Sequence, residues 1–233
     1  MRPVVRGDVP KTDDGASVVF KKHGDARDDL IGQIGDYCSY CENALHSDID
    51  VEHVQPKNPN GGRPDLALSW DNFLLACKYC NSIKSDKPVV LDDHFWPHLD
   101  NTFRAFIYSN DAPPIPNDSL PLPLRQKAVS TINLTGLDRV PGHPDWSVRD
   151  RRHIKRKEAF GMAVLYFGRY RRGETLILDI TLTASSRGFF SVWMTVFENY
   201  PEVRKALIQA FKADRNCFDA QTTQPVSRAG GQI

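Results

Sequence analysis

The residues able to do chemistry lie between Cys38 and Lys84. Cys38-Ser39-Tyr40-Cys41 and Cys77-Lys78-Tyr79-Cys80 are two Cys-x-x-Cys pairs. Each short loop lets two thiolates converge on one ion, so together they fit a closed tetrahedral zinc site. Four thiolates saturate Zn²⁺, which makes such a zinc structural. The same cysteines could instead form disulfides or a redox dithiol, but a thioredoxin-like motif needs only one pair and disulfides are rare in reducing compartments. Between the pairs lie Glu52-His53 and Asn72, and Asn81 follows Cys80 directly. A carboxylate, an imidazole and an amide oxygen suit a hard divalent ion together with a general base near neutral pH. Two blander readings of His53 stand beside this one: a substitute zinc ligand, which four cysteines make unnecessary, and a half-buried strand histidine.

The elements carrying these residues follow from the local pattern. Neighbours in a regular strand face opposite sides, so Glu52 and His53 reach one site only if the strand ends there, as Pro56 implies. A loop rich in Pro, Asn and Gly (Pro56 to Pro64) separates this strand from Phe73 to Cys77, an apolar run suited to a second strand. A short helix is expected to begin near Asn81, placing Asn81 and Lys84 at i and i+3 on one face. Lys84 then either faces a phosphate or is a solvated helix end.

The order His53, Asn72, Asn81, with the last two nine positions apart, resembles the HNH endonucleases, whose core is a ββα-metal finger. The added cysteine pairs are similar to the zinc-stabilised branch of that family. The resemblance covers about a quarter of the chain and assigns roles by position. It implies that Glu52 and Asn81 bind a catalytic Mg²⁺ or Mn²⁺, that His53 is the general base, and that Asn72 holds the loop orienting His53. Lys84 would face the phosphate. The family's third position, here Asn81, is often histidine. The chemistry implied is hydrolysis of a phosphodiester, with a metal-polarised phosphate and a water deprotonated by His53.

A narrower resemblance rests on Met1-Arg2-Pro3-Val4-Val5-Arg6-Gly7, Tyr37-Cys38-Ser39-Tyr40-Cys41-Glu42, Val51-Glu52-His53, Phe95-Trp96-Pro97 and Asp100-Asn101-Thr102. These stretches are similar to the HNH subunit (PtuB) of Septu-type anti-phage systems, also found with some retrons. That likeness implies an ATPase partner of the ABC/SMC type (PtuA) that gates the nuclease. DNA is the favoured substrate and RNA stays open. Two rivals remain at this stage, a stand-alone restriction-type HNH enzyme and a non-catalytic zinc module that binds nucleic acid or scaffolds a complex.

The rest of the 233-residue chain sets bounds. A net charge of +1 excludes a uniformly basic nucleic-acid binder, so contacts must come from local patches. No apolar run approaches the ~20 residues needed to span a bilayer, and the N-terminus lacks a signal-peptide segment, so the expected location is the cytoplasm, with no membrane partner. The expected fold is α+β and predominantly α: an arm (1–25), an HNH domain (26–111), a Pro-rich linker (112–123), a helical region (124–219) and a disordered tail (220–233). Helices are expected over Ala26–Ile34, Leu124–Leu134, Ser147–Arg172, Gly188–Tyr200 and from Pro201, with Ser147 as an N-cap; Leu176–Leu182 is ambiguous. Thr102–Tyr108 alternates like a strand. Cys217 reads as a lone thiol. In the basic run after Ser147, Arg149, Arg152, Lys155 and Arg156 share a helical face that could track phosphates, dock a partner or meet solvent.

Overall fold

Phe73-Leu74-Leu75-Ala76-Cys77 is apolar at every position and buried at every position. A strand with no solvated face must be covered on both sides. In the computed structural model, which describes residues 1–47 and 49–233, this strand (β2, Phe73–Cys77) pairs antiparallel with β1 (Ile49–His53), Glu52 opposite Leu74 and His53 opposite Phe73. A helix, α2 (Lys78–Lys84), leaves β2 without a connecting loop, completing ββα. It starts at Lys78 rather than near Asn81, because the Cys77 sulfur accepts from the Cys80 amide and caps the first turn. A further helix, α1 (Arg27–Ile34), packs on the hairpin.

The chain before α1 wraps the finger. Met1 and Val4 are buried, Trp70 Nε1 donates to Gly7 O at 3.0 Å, and Phe20 stacks on Trp70 and meets Phe73 edge-on. A 3₁₀ turn, His23–Ala26, then runs into α1.

The second half comprises a two-residue ladder, β3 (Phe106–Ile107) with β4 (Ile115–Pro116), followed by α3 (Leu122–Thr135), α4 (Arg152–Arg171), α5 (Ile177–Arg187), α6 (Phe190–Val196) and α7 (Pro201–Ala210). α4 packs on α5 and α6, and α5 on α7. Four expectations are corrected here. The proline-rich segment 112–123 is no boundary, since β4 lies inside it and the Asn117 amide returns to Ala105 O at 2.9 Å. Only Phe106–Ile107 of the expected Thr102–Tyr108 strand is extended, because 102–105 form turns closed by Asn101 and Thr102 carbonyls. Residues 220–233 are not a disordered tail: Ile233 is buried and its carbonyl accepts from Asn101 N, while Arg228 pairs with Asp214. Ser147 does not cap α4, which begins five residues later, where Asp150 Oδ1 accepts from the Arg152 amide at 3.1 Å. The ambiguous stretch at Leu176 is the start of α5.

The two halves are clasped at Gly188. Its φ is +79°, and a Cβ there would lie 2.5 Å from both Ala44 N and Glu42 O, so only glycine allows the close approach. The next amide, Phe189 N, donates to Glu42 O at 2.7 Å. Among the described residues no helix is long and apolar enough to cross a membrane.

Phe190 is the centre of an aromatic cluster at the start of α6. It is fully buried, with ring centroids 6.1, 5.5 and 6.0 Å from Phe103, Phe211 and Phe218. Phe190→Ala should cost about 3–5 kcal/mol by chemical denaturation; a loss below about 1 kcal/mol would mean that this cluster is not a main source of core stability.

Candidate active site

The four cysteines converge. Their sulfurs lie within 4.8 Å of one another and all four residues are buried. Cys41 Sγ and Cys77 Sγ are 3.7 Å apart, close to the edge of about 3.8 Å that a tetrahedron of ~2.3 Å Zn–S bonds requires. Hydrogen bonds from Cys38, Cys41 and Cys80 hold the Cys77 thiol well below its ordinary range, whereas Cys41 and Cys80 are pushed well above theirs. The protein alone thus favours thiolate character on Cys77 and not on those neighbours; a soft cation is what would let all four ionise.

Arg152 braces the cluster from α4. Its Nη1 lies 3.1 Å from Cys80 Sγ, and the guanidinium also binds Thr135 O, Gly136 O and, at 2.7–3.1 Å, the Asp150 carboxylate. Burial works against its charge, but Cys80 and Asp150 win and hold it above the ordinary arginine value. Arg152 and Arg156 are therefore not on a phosphate-tracking face: both point inward, 6% and 5% exposed, while Arg149 and Lys155 are exposed.

On the other side of the hairpin a cleft of about 730 Å³ is lined by His23, Glu52, His53, Lys57, Asn81 and Asp86, among others. β1 ends at His53, and this is what brings adjacent Glu52 and His53 to one cleft. His53 Nε2 is 2.9 Å from Ala67 O. A carbonyl only accepts, so Nε2 carries the proton and Nδ1 of the neutral ring keeps its lone pair. The ring is pinned between Phe73, at 5.3 Å, and His23, at 5.0 Å. Burial lowers its pKa, the Ala67 carbonyl opposes this, and the charges of Lys57, His23 and Lys84 lower it further.

Asn72 is buried and uses its whole amide. Oδ1 accepts from Gln55 N at 2.8 Å, and Nδ2 donates to Gln55 O at 2.8 Å and Leu66 O at 3.3 Å. It thereby staples the chain just past His53 to the residue preceding Ala67.

Glu52 is 3% exposed. Its Oε1 lies 2.7 Å from Lys84 Nζ and 3.4 Å from Tyr40 OH, while Oε2 has no hydrogen-bond partner among the described residues. Burial pushes its carboxyl up to about 7 despite the opposing pull of Lys84. Asn81 Nδ2 donates to Asp50 Oδ2 at 2.9 Å, leaving its Oδ1 without a donor among the described residues. The expected position of Lys84 is corrected. It is 0% exposed, bonded to Glu52 and to His53 O at 2.6 Å, so it neither faces a phosphate nor sits in solvent. Because α2 starts early, Lys84 falls in its last turn, beneath the end of β1.

Sequence reasoning missed Asp50, Tyr40, His23, Lys57 and the Ala67 carbonyl. Strand alternation marks Asp50, two residues before Glu52 and on the same face. A backbone carbonyl carries no side-chain signal, and His23 and Lys57 meet only through the fold.

Residues 38–87 match the family model described as HNH endonuclease. This segment is similar to HNH endonuclease domains, over about a fifth of the chain. The matched span contains both cysteine pairs and every cleft residue named above except His23. A Vibrio cholerae protein named as a retron Vc95 HNH endonuclease is 28% identical over 74 residues, covering 28% of this chain and 36% of that protein. The Septu protein PtuB of Bacillus thuringiensis is 31% identical over 85 residues, covering 34% and 32%. The chain thus spans about a third of the length of the curated relatives it matches.

The Glu52–Lys84 pair makes a measurable prediction. Lys84→Met leaves a buried carboxylate without its partner and should cost about 3–5 kcal/mol of stability, most of it recovered in Lys84→Met/Glu52→Gln. Equal instability of single and double variants would show that lost packing, not charge, is responsible.

Proposed function

We propose that this protein is a divalent-metal-dependent HNH endonuclease that hydrolyses nucleic-acid phosphodiesters, DNA in preference to RNA. The observation that carries this reading is His53, with Nε2 committed to a backbone carbonyl and Nδ1 bare, beside two oxygens that the protein leaves unused. Those oxygens, Glu52 Oε2 and Asn81 Oδ1, are hard donors and suit Mg²⁺ or Mn²⁺. When bound, such an ion polarises the scissile phosphate and stabilises the leaving oxygen. The remaining work belongs to the chain. Asn72 fixes the 55–67 segment, Ala67 O fixes the His53 tautomer, and Nδ1 accepts the proton of the attacking water. Lys84 and Asp50 are positioning residues, orienting the Glu52 carboxylate and the Asn81 amide. Zn²⁺ on Cys38, Cys41, Cys77 and Cys80 is structural.

The likeness to Septu and retron proteins supports a role as the nuclease of a Septu-type anti-phage system, acting in the cytoplasm with an ABC/SMC-type ATPase partner that gates cleavage. Co-expression with that ATPase is the condition under which activity should be sought if the isolated chain is silent.

His53→Ala should fold with full zinc and lose about 10²–10⁴ in cleavage rate on plasmid DNA with Mg²⁺ or Mn²⁺. Loss of zinc instead would make His53 a structural ligand. Cys41→Ser should lose zinc, measured by plasma emission, together with a fall in Tm, because metal binding and folding are coupled; unchanged zinc and Tm would remove the structural-zinc assignment.

A further inference from the structure

With Lys84 buried under β1, the cleft needs another cation if it is to hold a phosphodiester. Lys57 lines the cleft, is exposed, and forms no ion pair among the described residues. Its backbone is well placed for this. Pro56 O accepts from Arg63 N at 2.6 Å, and Asn58 O from Gly62 N at 2.9 Å, closing a tight loop around it. A Cβ at Gly62 would collide with the Pro56 and Asn58 carbonyl oxygens, so the turn needs glycine. On the far side, Asn58 Nδ2 donates to Asp86 Oδ2 at 2.7 Å, tying the loop to the chain just past α2.

His23 stands beside it in the same cleft. The 3₁₀ turn that carries it is anchored beside β1 by Arg27 Nε, which donates to Ile49 O at 2.8 Å. The His23 ring lies 5.0 Å from that of His53, and its Nδ1 is 3.4 Å from Lys57 Nζ. An ammonium only donates, so Nδ1 of a neutral His23 accepts and Nε2 carries its proton. The wall facing Glu52 and Asn81 thus carries two spare protons on Lys57 and one on His23, beside the ring that holds the bare nitrogen.

We infer that Lys57 and His23 form the substrate-facing phosphate clamp of this cleft, contacting a DNA backbone phosphate, and that the segment preceding α1 is thereby part of the active site. The inference rests on the nuclease reading above and adds the residues that hold the substrate. Lys57 would supply the charge and His23 a directed hydrogen bond.

The test uses the uncleaving His53→Ala chain and a fluorescent duplex, with affinity measured by anisotropy across salt concentrations. Adding Lys57→Ala should weaken binding and flatten the slope of log K against log salt by about 0.9, the signature of one lost phosphate contact. Lys57→Arg should restore the slope. In the otherwise wild-type chain, Lys57→Ala and His23→Ala should raise KM more than they lower kcat, with zinc unchanged. An unaltered slope on Lys57→Ala sinks the clamp and leaves the nuclease reading intact. Salt-dependent binding to RNA but not to the duplex would overturn the DNA assignment. If the His53→Ala chain binds neither nucleic acid and the wild type cuts neither, alone or with the ATPase, the nuclease reading fails and takes the clamp with it.

Discussion

Convergence of four sulfurs on one point is the constraint from which the rest of the finger follows. Cys77 ends β2 and caps α2, Cys80 lies in that helix's first turn, and Cys38 and Cys41 come from a knuckle whose Ser39 amide donates to Leu75 O at 2.8 Å. Joining these points fixes α2 against β1, and Asn81 and Lys84 reach Asp50 and Glu52 only because α2 is fixed there. A helix of seven residues is too short to hold its place alone. Arg152 extends the constraint into the second half, since its guanidinium joins a sulfur of the four-cysteine cluster to the carbonyls that end α3 and to the start of α4.

The cleft is organised by a division of labour among amides and charges. Asn72 spends both ends of its amide on backbone, so the loop carrying Ala67 is held by a neutral group that no change in pH can release. Glu52 sits where burial and Lys84 oppose each other; burial prevails and raises its carboxyl to about 7, with Lys84 limiting the rise. Such a pair contributes little to net stability, because removing two ions from water offsets most of their attraction. Its value is orientation: one oxygen is anchored and the other is left over.

Much of this was legible before any coordinates. The cysteine spacing, the apolar run at Phe73–Cys77 and the strand ending before Pro56 each report a local requirement, and each element forms where that requirement points. Lys84 was misjudged because i and i+3 arithmetic places a residue on a helix face without saying whether that face is covered. The basic run after Ser147 misleads for the same reason: Arg152 and Arg156 are buried, and Arg152 turns toward the Cys80 sulfur and the carbonyls at the end of α3, distant in sequence. Proline content made 112–123 read as a linker and glycine content made 220–233 read as disordered, yet both segments are ordered by partners at Ala105 and Asn101. Composition reports how a segment behaves alone, and these two never are.

The clasp at Gly188 bears on which parts of this structure are fixed to one another. With the end of α5 hydrogen-bonded to the loop beside Cys41, the helical region is held against the finger at that point. The 56–63 loop closes on itself and is tied to the chain just past α2 by one exposed side-chain hydrogen bond. A surface pressed against that loop would change the reach of the cleft without touching the four-cysteine cluster, a latch made of a few residues.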